Sequence, residues 1–340
     1  MAFSTIDKST LYQNQVLYTG NGATKPVTGV GFQPDWVWIK NRSVAFDHQA
    51  FDVIRGVTYR VSPNTNSVQT EQAASFTSFD SDGFTVDNYD PTNQLDDTFV
   101  GWCWKAGGAG SANEVGSIDS TVSVNTTAGF SIVKYTGNGV SGTVGHGLGT
   151  VPKFIITKNL SATGDWSTYH ATLGGTKTLY LDLANASGTT SSPWNNTDPT
   201  STVFSVGGGA YTNGDGNSII AYCFAEVPGF SKFSSYVGNA NVNGQFVFTG
   251  FAPSFVIFKN TAGTSNWEME NNKMPGYNVV NKYLLPNLAD IEGTVDRMDF
   301  LSNGFKLRTT GSNVNSAVTY VYAAFGQPIV SNSGTPATAR

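Results

Sequence analysis

The sequence has few charged residues and few of the residues that build catalytic or metal sites. Charged side chains make up 13% of the 340 residues, and the formal net charge is −5. A nucleic-acid binder needs a basic face to track phosphates, so this balance argues against nucleic acid as a partner. There are two cysteines and three histidines, and the histidines show no metal-ligand spacing. We therefore expect no disulfide framework, no metal and no cofactor.

Long apolar runs and targeting signals are also missing. No stretch of about 18 apolar residues occurs, so we expect no membrane insertion. The N-terminal residues lack the basic start and the apolar stretch of a secretory signal, which predicts synthesis in the cytoplasm.

Glycine and aromatic residues, in contrast, are abundant. The chain has 38 glycines, and aromatic residues make up 13% of it. Short apolar runs alternate with clusters of glycine, asparagine and aspartate, which is typical of strands joined by tight turns. No long stretch has a 3.6-residue period with helix caps. The composition thus predicts an all-β protein.

One motif occurs three times, about a hundred residues apart. The sequence reads VLYTGNG at 16–22, VKYTGNG at 133–139 and SSYVGNA at 234–240. A proline follows each motif tyrosine by 16 or 17 residues and opens an apolar strand that ends in Lys-Asn. A small residue lies 63 or 65 residues after each of those lysines. The landmark positions are Tyr18, Pro34, Trp36 and Cys103; Tyr135, Pro152, Phe154 and Cys223; Tyr236, Pro253, Phe255 and Ala324.

Recurrence of several landmarks in register indicates duplication of one structural unit. We predict three tandem antiparallel β-sandwich or jelly-roll domains of about 100 residues, each closing its own apolar interior. The predicted boundaries are an N-terminal attachment arm at 1–14, β-domains at 15–107, 129–227 and 228–330, a Gly/Ser/Thr linker at 108–128, and a C-terminal tail at 331–340. A position that accepts Cys, Cys and Ala is a small buried site, so both cysteines should be free thiols.

The sequence offers little that would support catalysis. It contains no nucleophile-elbow motif and no carboxylate pair that stands out, so we expect no enzymatic activity. The stretch FDSDGFTVDNYD at 79–90 resembles a calcium loop, but no glutamate closes a twelve-residue loop. We interpret it as a surface turn, with weak calcium binding left open. A ring recurs eight residues after each strand-ending lysine, at His48, Trp166 and Trp267, which favours packing over ligand contact.

Binding remains the functional class to consider. The polar loop at 185–201 contains Trp194, a tryptophan without a counterpart in the other two units. Aromatic rings stack on sugars, and amide and carboxylate groups bind sugar hydroxyls. We therefore name Trp194, Asn195, Asn196 and Asp198 as candidate ligand-binding residues. The alternatives for Trp194 are that it covers the local core or packs at a subunit interface.

The landmarks also carry a family resemblance. The segments AFSTIDKST, VLYTGNG, VTGVGFQPDWVWIKNRS and FVGWCWKAGG resemble a repeated β-domain family found in structural and tail proteins of tailed bacteriophages, especially those of marine bacteria and cyanobacteria. The stretch VNTTAGFSIVKYTGNG and the closing FGQPIV resemble modules of the same proteins. The third unit departs most from this pattern, because its opening motif reads SYVGNA.

The resemblance implies a virion component and does not fix its location on the particle. The few charges, the abundant glycine, serine, threonine and asparagine, and the modular β-domains favour a non-enzymatic protein on the outside of the particle, synthesised in the host cytoplasm. Its expected partners are other virion proteins, further copies of itself (a homotrimer being favoured) and a host-surface glycan. The first hypothesis is a tail fibre or tail-tip adhesin. The alternative is a capsid decoration or head-fibre protein with a structural role. A free carbohydrate-binding module is a weaker third option.

Overall fold

The computed structural model describes residues 4–330, and they form an all-β protein with several antiparallel sheets. Unit 1 contains β1 (Gln13–Thr19), β2 (Lys25–Thr28), β3 (Trp36–Asn41), β4 (Gln49–Asp52), β5 (Tyr59–Arg60), β6 (Thr70–Glu71), β7 (Phe76–Asp80), β8 (Gly83–Val86) and β9 (Thr98–Trp104). The connection to unit 2 contains β10 (Ser111–Asn113) and β11 (Ser120–Asn125). Unit 2 contains β12 (Phe130–Thr136), β13 (Gly142–Gly145), β14 (Pro152–Asn159), β15 (Ser167–His170), β16 (Lys177–Tyr180), β17 (Gly188–Thr189), β18 (Val203–Val206) and β19 (Ser218–Ala225). Unit 3 contains β20 (Ser231–Val237), β21 (Phe246–Phe248), β22 (Phe251–Asn260), β23 (Glu268–Asn271), β24 (Val280–Leu284), β25 (Gly293–Leu301), β26 (Gly304–Leu307) and β27 (Thr319–Pro328). Three short helices complete the described residues: a 3-10 helix at Ser9–Leu11, α1 (Asp90–Asn93) and α2 (Ala210–Asn213).

Each unit places its three landmark strands side by side in the same order. The strand carrying the motif tyrosine pairs with the strand carrying the small residue, and that strand pairs with the one after the proline. Cys103 pairs with Val37 in unit 1, and Cys223 and Ala324 occupy the corresponding register in units 2 and 3. All three small residues are fully buried, and both cysteines are free thiols, as predicted.

The central strands are buried on both faces, and their side chains alternate between two cores. On β9, Trp102 and Trp104 point to a core shared by all three units, whereas Phe99 and Cys103 point to a core confined to unit 1. This alternation follows from the two-residue period of a strand. Units 2 and 3 show the same division, because each also has a local core of its own besides its part of the shared core.

The shared core corrects the expectation that each unit closes its interior alone. Trp36 stacks on Tyr222 of unit 2 with ring centroids 4.3 Å apart, and Trp104 lies 5.7 Å from Phe255 of unit 3. Phe224 and Phe325 join units 2 and 3 at 5.8 Å. Aromatic residues on the inner faces of three sheets thus exclude water together.

The three units close into a ring by equivalent contacts. The residue after each Lys-Asn pair accepts a backbone hydrogen bond of 3.1–3.2 Å from another unit. The bonds run from Gln69 N of unit 1 to Leu160 O of unit 2, from Ser187 N of unit 2 to Thr261 O of unit 3, and from Glu292 N of unit 3 to Arg42 O of unit 1. Because the third interface repeats the other two, the chain is arranged about a pseudo-threefold axis.

The rings eight residues after each lysine reinforce these interfaces. Trp166 Nε1 donates to Thr65 O at 3.0 Å, and Trp267 Nε1 donates to Tyr180 O at 2.8 Å. His48 Nε2 lies 3.1 Å from Leu285 O. Each of these three bonds crosses to another unit, so the repeated ring joins neighbouring units.

Two segments differ from their predicted roles. The Gly/Ser/Thr segment at 108–128 is part of the fold, because β10 and β11 extend the sheet of unit 2 alongside β12. Within the predicted N-terminal arm, Ile6 is buried in the shared core and Ser9 Oγ bonds to Gln327 Oε1 at 3.0 Å. Residues 4–14 therefore lie against the body. Residues 1–3 and the predicted tail at 331–340 fall outside the described residues.

Within residues 4–330, no helix has the length and apolar character needed to cross a membrane.

Candidate interaction surface

The repeated turn motif is held by a second asparagine from the same unit. In unit 1, Asn93 Nδ2 donates to Asn21 Oδ1 at 2.9 Å and to Ala23 O at 2.5 Å, while Asn21 N donates to Asn93 Oδ1 at 3.0 Å. Asn213 and Asn315 make the corresponding bonds in units 2 and 3. All three clamping asparagines are fully buried.

Tyr18 and Gly20 of the motif take part in the same contact between the turn and the loop that carries the asparagine. Tyr18 OH donates to Thr92 O at 2.7 Å. A Cβ on Gly20 would collide with the carbonyl oxygen of Gln94. The motif recurs because each unit needs this close approach between a turn and the loop that precedes its last strand, and its polar groups are used within the chain.

The structure places Trp194 in the core of unit 2. Its side chain is 1% exposed and packs at 5.8 Å, edge to face, against Tyr169. A buried ring offers no face for a sugar to stack on. The alternative that Trp194 covers the local core is what the structure shows.

The polar residues that follow Trp194 form a surface turn. Asn195 and Asn196 are exposed and have positive φ values of 50° and 52°, which asparagine tolerates better than most residues. Asp198 accepts hydrogen bonds from Gly175 N at 2.7 Å and from Tyr169 OH at 3.2 Å. The side-chain oxygen of Asn195 accepts a hydrogen bond from Ser141 Oγ at 3.2 Å. The turn thus exposes two asparagine side chains that a ligand could contact, whereas the aspartate fastens the loop to the unit.

The acidic turn that resembles a calcium loop uses its carboxylates within unit 1. Asp82 accepts hydrogen bonds from Gly31 N at 2.6 Å and Gly29 N at 3.1 Å, and Asp80 accepts one from Thr85 Oγ1 at 2.7 Å. Among residues 4–330, no group of three or more His, Cys, Asp or Glu side chains could hold a metal ion.

Three buried lysines end the equivalent strands of the three units. Lys40, Lys158 and Lys259 have no exposed surface, and burial lowers the pKa of each to about 8. Lys259 Nζ donates to Ser265 O at 2.7 Å in its own unit and to Ala184 O at 3.1 Å in unit 2. Lys158 Nζ likewise donates to Asn66 O of unit 1 at 3.0 Å, whereas Lys40 Nζ donates to Asn41 O of its own unit at 2.7 Å. Two of the three ammonium groups thus join carbonyls of neighbouring units, which is a structural use of a buried charge.

The two fully buried glutamates among residues 4–330, Glu268 and Glu270, both lie in unit 3. Glu270 pairs across the sheet with Val256, in the place where units 1 and 2 have Phe51 and Tyr169. Arg297 Nε lies 2.6 Å from Glu268 Oε1. Burial, followed by the nearby charge of Glu268, raises the pKa of Glu270 well above its ordinary value.

Unit 3 also has an open groove on its surface. A groove of about 520 Å³ runs between β20 and β21, and Val237, Phe246 and Phe248 lie along it. Val237 is 59% exposed and Phe248 is 56% exposed. Large apolar side chains at the mouth of a groove are typical of a contact surface.

The same opening is covered in unit 2. There β11 pairs along β12, and Ser117 N and Ile118 N both donate to Thr143 O on β13, at 2.9 and 3.0 Å. Val144 of β13 and Val247 of β21 pair with Phe204 and Phe305, so they are equivalent positions. The groove of unit 3 is thus the space that residues 116–125 fill in unit 2.

A family model for a domain of unknown function, DUF7483, matches residues 8–328. The chain belongs to this family. One match runs through all three units, so the DUF7483 domain corresponds to the whole ring and not to a single unit. Comparison with curated proteins finds no match.

Proposed function

We propose that this DUF7483 chain is a non-enzymatic structural protein of a bacteriophage virion, carried outside the particle as a tail fibre or tail-tip adhesin. The resemblance of its repeated motifs to phage structural proteins is the first support. The observation that carries the proposal is the closed ring, in which equivalent bonds join all three pairs of units around one aromatic core. Such a body keeps its surface loops in fixed relative positions, which suits attachment to a particle and contact with a host.

The interior chemistry is consistent with a structural role. The lysines that end the equivalent strands bond to loop carbonyls, and the buried asparagines hold turns together. These groups are engaged in joining segments of the chain and do not converge on a common open cleft. We therefore propose a protein without catalytic activity or a cofactor.

The ring also bears on the expected assembly. We infer that the three units derive from one sandwich-like β-domain, because equivalent strands and clamps recur in all three and the same bulge recurs in units 2 and 3. The expected homotrimer would place three such rings about a true threefold axis. Mass measurement in solution tests this, and a monomer would contradict the expected homotrimer.

A capsid decoration or head-fibre protein is the second candidate. The burial of Trp194 favours it, because the aromatic platform expected of a glycan-binding tip is absent at that loop. On this alternative, the exposed face contacts capsid proteins and the role is structural.

Immuno-electron microscopy of whole particles tests the proposal. Antibodies against the recombinant chain are applied to particles released from an infected host whose phage encodes it. Label at the tail supports the first candidate, and label over the head supports the second. Particles that contain their full set of structural proteins but carry no label, inside or out, would contradict a virion role.

Glycan recognition is tested separately on the exposed turn of unit 2. Glycine accepts the positive φ of Asn195 and Asn196, so N195G/N196G removes both amides without added backbone strain. Loss of array binding in this variant, with unchanged unfolding temperature, would assign sugar contact to the turn. Equal binding by both proteins would exclude it.

A further inference from the structure

The edge strand of unit 3 has an unused side. Among the described strands, β20 pairs with β27 alone, so its other edge borders the groove. An open strand edge presents backbone N–H and C=O groups that can pair with another chain. The exposed apolar side chains of Phe246 and Phe248 lie across the groove from this edge.

In unit 2 the equivalent edge binds a strand of this chain, whereas β1, the equivalent strand of unit 1, pairs with β9 alone among the described strands. β11 runs antiparallel to β12, with Thr121 opposite Lys134 and Val122 opposite Val133. Val122 is 4% exposed and belongs to the local core of unit 2. Ser120 Oγ also donates a hydrogen bond to Gly145 O of β13 at 3.3 Å. A strand in this position therefore seals the side of the unit through backbone pairing and through aliphatic residues at alternate positions.

The chain between units 2 and 3 cannot supply the same strand. β19 ends at Ala225 and β20 begins at Ser231, which leaves too short a connection for a strand of six residues. The C-terminal residues leave β27 beside the first residue of β20. A continuation along the groove would run parallel to β20, and the sequence SNSGTPATAR has no aliphatic residue larger than alanine.

We infer that β20 accepts an extended segment of a partner protein, which adds to the sheet as an antiparallel strand in the position that β11 takes on β12. Backbone hydrogen bonds provide the affinity, and aliphatic side chains at alternate positions pack into the groove against Phe246 and Phe248. The inference depends on strand pairing within this chain and not on the proposed virion role.

The chain's own strand provides a probe. A synthetic peptide of residues 116–126 is added to the full-length protein, and binding is measured by calorimetry together with hydrogen exchange of residues 232–237. We expect saturable binding and at least tenfold slower exchange of the alternate amides in this stretch whose N–H groups point to the open edge, since the others already face β27. The same peptide with V122P should bind at least tenfold more weakly, because proline removes a donor and disrupts the strand.

Matched variants locate the site. F246K/F248K should weaken binding of the peptide at least tenfold, whereas Y277K, at a tyrosine that is 81% exposed and does not line the groove, should leave it unchanged. All three side chains are exposed, so folding should be retained in both variants and is checked by unfolding temperature. Equal loss in both variants, or no binding by the wild type, would overturn the inference.

Register is tested by disulfide capture. Lys134 corresponds to Ser235, so a peptide carrying T121C should cross-link to S235C at least ten times faster than to K232C. Equal rates would contradict antiparallel pairing in the register of β11.

Two further results would identify a different occupant of the groove. Spontaneous covalent dimers of S235C without peptide would make a second copy the occupant. A tenfold gain in peptide affinity on deleting residues 331–340 would make the chain's own tail the occupant. Either outcome would contradict the inference that a partner protein occupies the groove.

Discussion

At the scale of single residues, the three units allow direct comparison of one position in three contexts. The last residue of the turn motif is Gly22, Gly139 or Ala240, with φ values of 65°, 71° and 51°. An L-residue with a side chain is strained in this region, whereas glycine is not. Ala240 thus occupies a position whose backbone conformation favours glycine, in the unit whose motif departs most from the others.

The first prediction follows from that position. A240G should raise the free energy of unfolding by about 0.5–1 kcal/mol, because relief of the left-handed strain exceeds the extra entropy of an unfolded glycine. The reverse change, G22A, should lower it by about 1 kcal/mol, since a Cβ there meets its nearest neighbour at an ordinary 3.6 Å and only the backbone is strained. Urea unfolding at constant m-value measures both. A destabilised A240G would contradict the argument.

The second prediction concerns the buried glutamate of unit 3. Glu270 faces Glu268, Arg297 and Tyr236, and its pKa is raised in the folded state. A carboxyl with a raised folded pKa binds more protons folded than unfolded, so stability falls as pH rises above the unfolded value of about 4.3. E270Q keeps the shape and removes the titration. The difference in free energy of unfolding between E270Q and wild type should therefore be small near pH 4. It should grow toward pH 8, with E270Q the more stable protein.

A matched variant separates this effect from the loss of a polar group. E268Q weakens the contact with Arg297, so it should destabilise the protein at neutral pH. A difference between E270Q and wild type that does not change with pH would show that Glu270 does not titrate in this range.

At the scale of elements, the clamping asparagines fix a turn to the loop before the last strand of each unit. Asn213 Nδ2 donates to Val140 O at 2.5 Å and to Gly207 O at 3.0 Å, and its Oδ1 accepts from Asn138 N at 3.0 Å. Removing the Asn213 side chain leaves the Gly207 carbonyl buried without this hydrogen bond, which costs more than the bond itself gained, and it also removes the two bonds to the turn.

The third prediction uses this clamp. N213A should lower the free energy of unfolding by about 2–4 kcal/mol, because donors and acceptors of two segments lose their partner. N213D retains the acceptor but loses the donors, and it should be destabilised as well. N185A, at an exposed asparagine of the same unit outside the clamp, should change stability much less. Thermal unfolding measures the stability of the three variants. If N213A were as stable as wild type, the hydrogen bonds of Asn213 would not contribute to stability as proposed.

The elements also show how far the sequence could predict the fold. The landmark strands were predictable because each carries its own apolar alternation and boundary residues. β10 and β11 were not, because a segment rich in serine and threonine becomes a strand through the open edge of β12, which local composition does not reveal. The burial of Trp194 was equally hidden, since Tyr169 reaches it from a distant part of the chain. The groove beside β20 had one signal, the short connection between units 2 and 3.

At the scale of the whole molecule, one aromatic core belongs to all three units. Trp104 illustrates the arrangement, because its ring contacts Phe224 of unit 2 at 6.4 Å and Phe325 of unit 3 at 6.1 Å. A unit taken alone would expose this face of its main sheet to water, at a cost of about 25 cal/mol for each Å² of apolar surface. Sequence repeats indicate duplication, but they do not tell whether the copies share an interior.

The fourth prediction tests that sharing. Phe255 is 2% exposed and packs against Trp102 of unit 1 at 6.1 Å, so F255A should cost about 3–5 kcal/mol. If the core is common, all three units should unfold together at the lowered temperature. Hydrogen exchange at β1, β12 and β20 should then accelerate by the same free energy, and calorimetry should show one transition. V242A, at a valine that is 64% exposed, should leave both measurements unchanged. Accelerated exchange confined to β20, with β1 and β12 still protected as in the wild type, would mean that the units are stable independently and that the ring is only an association of three finished domains.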